Sequence, residues 1–219
     1  MKAVVFDFDG VIIDTETARY EAWQKIYSSY GCILPLDIWV QSIGKAQYAI
    51  HPYDYLLQNI NVTIDSAEIN ALHKRLEVEI ADKLPLLPGV KARIDEAKKL
   101  GMALAVVSSS SRAWVGGHLR RRGLYDNFKV LVCRDDTEHH KPSPVPYLKA
   151  VNILGCEAAQ AFAIEDSPTG IEAAVSAGLF CIGVGCSMTI DMDLSRANLI
   201  VKSLEEISFS SLSESQYSK

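Results

Sequence analysis

The chain has 219 residues, of which 48% are hydrophobic and 22% charged, with a formal net charge of -5. That balance excludes a disordered chain and leaves room for one full core plus a smaller accessory domain. Negative net charge argues against a nucleic-acid partner, which needs clustered positive charge.

One basic run, Arg120-Arg121-Arg122, reads as cations at a helix C-terminus. Five cysteines (Cys32, Cys133, Cys156, Cys181, Cys186) lack CxxC spacing, so neither a disulfide framework nor a zinc site is expected. No run approaches the ~18 apolar residues of a membrane span. The apolar start is too short for a signal segment, and the expected compartment is the cytoplasm.

Residues 2–6 (KAVVF) form a brief apolar run with acids immediately after it, the pattern of a buried parallel strand ending at an active-site edge. Asp7 and Asp9 come next, two apart, so extended backbone would point both carboxylates to one side. The chain then reads as helical. Ala18, Ala22, Ile26 and Tyr30, with Trp23 and Tyr27 beside them, form one stripe. Ile69, Leu72, Leu76 and Ile80 form a second, begun by an Asp65 N-cap with Glu68 three residues on. This predicts a helical insertion over 15–86 between core segments 1–14 and 87–219. Its crossings lie beside the first acids, where an insertion can close over a site and exclude water.

After Gly89, the residues Val90, Ile94, Ala97 and Leu100 share a helical face that stops at Gly101. Apolar runs at 103–107, 130–132, 161–164 and 180–184 alternate with helical patterns. One helix begins at Ser167-Pro168, carries Ile171, Ala174 and Val175 inward and ends near Gly178. A double glycine at 116–117 weakens another, and the serine-rich tail over 210–219 is expected to fray. The alternation predicts an α/β fold with a doubly wound parallel sheet and ligands beyond the carboxyl ends of the strands.

Two carboxylates ~4 Å apart repel by about 4 kcal/mol at an effective dielectric of ~20, and Glu165-Asp166 at the end of another strand adds to this. A cation is required. Oxygen ligands alone favour a hard ion such as Mg2+.

An isolated DxD is common on solvated loops. Here FDFDGVIIDTE at 6–16, a valine with four serines after it at 107–111, Lys141-Pro142-Ser143-Pro144 and IEDSPTG at 164–170 come in that order. Together they resemble the four signature motifs of the haloacid dehalogenase-like hydrolases, in the branch with a helical cap after the first motif, over nearly the whole chain. The resemblance implies a Rossmann-like core, Mg2+ and an aspartyl-phosphate mechanism. Asp7 would be the nucleophile and Asp9 the general acid and base. Ser108 would hydrogen-bond the phosphoryl oxygens, with the backbone N–H groups of Ser109 and Ser110, and Lys141 would offset their charge and orient Asp7. Asp7, Asp166 and the backbone carbonyl of Asp9 would ligate the metal, with Glu165 holding a metal-bound water. Taken singly, Ser108 to Ser111 read as an N-cap cluster and Lys141 as a solvated loop lysine. Asp14 and Thr15 shape the turn into the insertion, and His139, His140, Asp135 and Asp136 receive no role.

Within that family the dehalogenases lack an acid at the Asp9 position, which sets carbon–halogen hydrolysis aside; the phosphonate-cleaving relatives also depart from DxD. A sugar phosphomutase of the beta-phosphoglucomutase type is the rival. Where those enzymes carry histidine in the first cap helix this chain has Arg19, and where they carry arginine three residues after a cap glycine it has Gln47 after Gly44. The expectation is a Mg2+-dependent phosphatase acting on a small phosphorylated metabolite such as a sugar phosphate. Neither nucleic acid nor membrane is a partner, and a monomer is compatible with this. The alternative of another class, a catalytically idle phospholigand-binding module, is disfavoured by the intact motif residues. Substrate choice is assigned to the stretch 44–55, with Lys45 and Arg19 on the leaving group.

Overall fold

The computed structural model describes residues 1–41 and 50–217. In chain order its elements are β1 (Ala3–Phe6), α1 (Thr15–Ser29), α2 (Leu36–Val40), α3 (Pro52–Gln58), α4 (Ser66–Lys83), α5 (Val90–Lys99) and β2 (Ala103–Val107). Next come α6 (Arg112–Arg121), β3 (Val130–Val132), α7 (Val145–Leu154), β4 (Ala161–Glu165), α8 (Pro168–Ser176), β5 (Phe180–Val184), β6 (Leu199–Val201) and α9 (Phe209–Tyr217). They divide into two compact units, residues 1–13 with 86–219, and residues 14–85. Among the described residues no helix is long and apolar enough to cross a membrane.

The first unit carries a six-stranded sheet in the order β3-β2-β1-β4-β5-β6, every pair parallel. This is the doubly wound sheet expected, with β1 at its centre and the order reversing on either side of it. Register makes the functional edge. Phe6 lies opposite Val106 and Ile164, so the three central strands end together and the segments leaving them emerge at the same edge. Every residue of β1 and β4 is buried, as continuous apolar strands covered on both faces must be. Small side chains at Ala105, Ala163 and Ala173 let the helices approach closely, with Tyr147 and Ile171 filling the same cluster.

Several local expectations change. Leu100 is 45% exposed although Val90, Ile94 and Ala97 are buried, because the helix ends one residue earlier and its C-cap turns outward. The strand β6 carries little sequence signal, being three residues long with Ile200 exposed. Helix α6 forms across Gly116 and Gly117: Ser111 caps it and the buried Trp114, Val115, His118 and Leu119 anchor one face. Arg120 and Arg121 occupy its last turn, as expected, and Arg120 lies over the Tyr125 ring. The tail is helical over Phe209–Tyr217, since Phe209 is fully buried and stacks on Phe162 at 5.5 Å, while Ser208 Oγ donates to Glu96.

In the second unit α1 packs on α4 through Ala18, Ala22, Trp23, Ile26 and Tyr27. The α4 stripe holds at its ends, where Ile69 and Ile80 are buried, and departs from the expectation between them. Leu72 and Leu76 are half-buried, whereas His73 and Glu77 are buried. Both polar groups are satisfied there, as buried polar groups must be. The His73 ring stacks on Trp23 at 4.4 Å with Nε2 3.1 Å from the Arg19 carbonyl oxygen, and burial holds its pKa below the ordinary histidine value. Glu77 accepts from Arg19 Nε at 3.0 Å and from Lys74 Nζ at 3.1 Å. Asp65 caps α4 by accepting from the Ala67 N–H.

The stacked Phe209 ring makes the tail part of the core. Phe209→Ala should cost about 3 kcal/mol, the usual range for emptying an aromatic site, read as a lower urea midpoint at unchanged slope.

Candidate active site

The first acids leave β1 at the sheet edge. Asp7 continues the ladder by donating its N–H to the Ile164 carbonyl at 2.9 Å, and it is 6% exposed. The chain then turns at Gly10, whose φ of +81° and close approach to a neighbour both require glycine: a Cβ there would lie 1.9 Å from Asp166 Oδ2. Asp166, just beyond β4, is also buried and accepts from Thr189 Oγ1 at 3.2 Å.

Lys141 joins these strands. Its Nζ donates to Asp7 Oδ1 at 2.6 Å, to Glu165 Oε1 at 2.6 Å and to the Val107 carbonyl at 3.0 Å. Glu165 is fully buried; Tyr147 OH also donates to its Oε1, at 2.5 Å, and Ser167 Oγ reaches Oε2 at 3.4 Å. Gly170 in the first turn of α8 leaves the space its carboxylate fills, for a Cβ would overlap it. Carboxylate oxygens of Asp7, Glu165 and Asp166 all lie within 4.8 Å of one another.

Asp9 is held by neutral donors. Ser108 Oγ and Ser110 Oγ donate to its Oδ2 at 3.1 and 2.7 Å, and Trp114 Nε1 donates to Oδ1 at 2.9 Å. The Ser110 N–H donates to Ser108 Oγ at 2.9 Å, and Ser111 is the residue that caps α6. Ser109 is exposed and borders a recess with Ser108, His140 and Lys141.

Asp7, Asp9, Ser108, Ser110, Lys141, Glu165 and Asp166 thus converge within the first unit. Arg19 belongs to the second unit, where Glu77 and Glu16 bind it at 3.0 and 2.6 Å. Lys45, Gly44 and Gln47 lie outside the described residues. Asp14 accepts from the Thr17 N–H and caps α1. Asp135 and Asp136 bind Arg112, tying the start of α6 to the end of β3. Sequence reasoning misses Trp114, Tyr147 and Thr189; Tyr147, six residues after Lys141 on the same helical approach, carries the one readable signal.

Burial pushes the Asp7 carboxyl up to about 8; Lys141 opposes that shift, and the charges of Glu165 and Asp9 add to it. Burial alone would lower Lys141, yet Asp7 and Glu165 hold it above the ordinary lysine value. One ammonium cannot offset three carboxylates. An oxygen-only, buried, net-negative cluster fits a hard divalent cation such as Mg2+ better than zinc. Asp7 and Asp166 would hold it, while Glu165 is already engaged by Lys141 and Tyr147.

A family model described as haloacid dehalogenase-like hydrolase matches residues 4–184. The putative phosphatase YhcW of Bacillus subtilis (strain 168) is 40% identical over 189 residues, covering 86% of each chain. The phosphorylated carbohydrates phosphatase of Thermotoga maritima is 30% identical over 179 residues, covering 82% of each. Among solved structures, beta-phosphoglucomutase from Clostridium difficile superposes with a TM-score of 0.74 at 25% identity, over 99% of this chain and 98% of that one.

The raised Asp7 group makes stability depend on pH. Its ordinary value is 3.8, so between there and about 8 the folded chain keeps a proton that the unfolded chain loses. Its contribution is therefore present below the lower value and lost as pH rises through the upper one. With a chelator present, the urea midpoint of the wild type should fall relative to Asp7→Asn across that window, and Mg2+ at the upper end should narrow the gap.

Proposed function

We propose, from the premise that this chain belongs to the haloacid dehalogenase-like hydrolases and is a phosphoric monoester hydrolase of that family, that it releases phosphate from a small phosphorylated metabolite through an aspartyl-phosphate on Asp7. One observation carries the reading: Lys141 Nζ bridges Asp7 and Glu165 at 2.6 Å each, beside Asp166, at the carboxyl edge of the sheet. A cation on one oxygen aims a buried carboxylate and leaves its other oxygen for in-line attack on phosphorus, and a bound divalent ion would add the charge that ionises it.

When bound between Asp7, Asp166 and the Asp9 carbonyl, Mg2+ would draw charge from the phosphoryl oxygens and offset the repulsion among the acids. The chain's own groups do the rest. Asp7 attacks phosphorus, and the bond to the leaving oxygen breaks as Asp9 gives that oxygen a proton. Asp9 then takes a proton from water as the water oxygen bonds phosphorus and the Asp7 bond breaks. Ser108, with the N–H of Ser109, receives phosphoryl oxygens at the mouth of the site, and Lys141 balances their charge. Glu165 keeps Lys141 in place and would hold a water of a bound ion.

The name of the Thermotoga maritima relative supports a sugar phosphate as the substrate class. Leaving-group selectivity is assigned to the helical unit as a cap, through Arg19 and Lys45. The likeness to a beta-phosphoglucomutase supports a second reading, a sugar phosphomutase.

A panel of sugar phosphates and p-nitrophenyl phosphate separates the two. With Mg2+, inorganic phosphate should be released, falling to background in Asp7→Asn and on chelation. Asp9→Asn should lose about 10²–10⁴-fold on sugar phosphates, the scale of general acid–base catalysis. Isomerisation of a sugar phosphate with negligible phosphate release would establish the mutase instead.

A further inference from the structure

The carboxylate of Asp9 has donors of two kinds on its two oxygens. Ser108 and Ser110 give hydroxyl hydrogens to Oδ2, while Trp114 gives its indole N–H to Oδ1 at 2.9 Å. A serine hydroxyl has one hydrogen, rotates freely and can turn to another acceptor. An indole N–H is a donor only, on a rigid ring that must move as a whole to re-aim. This ring is fixed. Trp114 is 7% exposed and meets the His118 ring edge-on at 4.3 Å. His118 is fully buried and packs 6.0 Å from Phe8. The Trp114 backbone is tied as well, its N–H donating to the Ser111 Oγ that caps α6.

We propose that Trp114 is a positioning residue for proton transfer, clamping Oδ1 of Asp9 so that Oδ2 alone exchanges the proton with substrate and water. The inference rests on the phosphatase reading of Asp9 and Ser108. When a phosphoryl group enters, Ser108 and Ser110 can donate to its oxygens only by withdrawing their hydrogens from Oδ2. Oδ1 keeps the indole throughout. Oδ2 is then the oxygen that changes partners. In the first step its proton passes to the leaving oxygen as the bond from that oxygen to phosphorus breaks and the bond from Asp7 forms. In the second, Oδ2 recovers a proton from water as the water oxygen bonds phosphorus and Asp7 is released. Without the clamp the carboxyl can rotate about its own axis, and the proton is presented in the reacting direction for only part of the time.

The leaving group reads this out. A sugar alkoxide needs the proton as it departs, whereas p-nitrophenolate is stable enough to leave without it. Trp114→Phe removes the N–H and keeps an aromatic ring against His118. It should lower kcat/KM on the best sugar phosphate by about 10- to 100-fold, a part of what general acid catalysis supplies. Its kcat/KM on p-nitrophenyl phosphate, which reports only the steps through leaving-group departure and not the later attack by water, should change by less than about twofold, and Asp9→Asn should show the same selectivity in kcat/KM more strongly. Equal losses on both substrates in Trp114→Phe, or no loss on either, with a selective Asp9→Asn, overturn the role of Trp114 alone. Equal losses in Asp9→Asn as well overturn the acid–base reading beneath it, and the clamp with it. A second measurement serves if Trp114→Phe does not fold. The chain has three tryptophans, Trp23, Trp39 and Trp114, so its ¹⁵N spectrum carries one indole N–H signal for each. Asp9→Asn should shift one of these signals and leave two in place; three unmoved signals overturn the proposal.

Discussion

Three carboxylates gathered in a buried place repel one another, and the rest of this unit is arranged around that repulsion. Asp7, Glu165 and Asp166 approach within 4.8 Å where water cannot screen them. No single element could supply the compensation. Lys141 comes from the segment between β3 and α7, Tyr147 from α7 itself, and Thr189 from the loop after β5. Each binds a different oxygen or shares one, so the acids are spaced by their donors as much as by their backbone. Removing a donor would leave a buried charge without a partner, which is far more destabilising than never having placed the pair.

The sheet makes this crowding reproducible. Because β1 is paired in parallel register with both β2 and β4, the ends of three strands cannot slip relative to one another without turning their side chains to the opposite face. The cluster inherits that precision. Two glycines complete it by absence: Gly10 admits the Asp166 carboxylate and Gly170 admits that of Glu165. Gly10 sits just after β1 and Gly170 in the first turn of α8, where backbone must pass close to a charged group and any side chain would displace it.

The core is legible because its central strands are buried on both faces and so read as continuous apolar runs, with the motif residues at the ends of β1, β2 and β4. The central strands and the convergence of Asp7, Lys141, Glu165 and Asp166 can be read from that rule together with the order of the motifs. The features that escape it are set by tertiary partners. Nothing in the spacing of α4 says that His73 and Glu77 turn inward while Leu72 and Leu76 stay half-buried; Trp23 and Arg19 on the facing helix decide it. The tail reads as polar because its anchor is one buried ring, Phe209. Ser110 and Trp114 are hidden for a further reason. A serine in a run of four and a tryptophan in a helix look like a cap and a core residue, and here they are also donors to Asp9.

Those donors separate two acids only two residues apart. Asp7 is paired with an ammonium that is itself buried and locked by Glu165, so its partner and its direction are fixed by the fold. On Asp9, two hydroxyls and an indole are among the donors to the carboxylate. In the proposed mechanism Asp7 must stay aimed through one event, which a fixed ion pair provides. Asp9 in that mechanism must gain charge once and lose it once in a turnover, and a permanent cation on its oxygens would oppose the protonated half of that cycle. Neutral donors bias it less, and the two hydroxyls can be reassigned to the substrate. The sequence places both acids beside one strand end, while their neighbours, drawn from different elements, divide the labour between them.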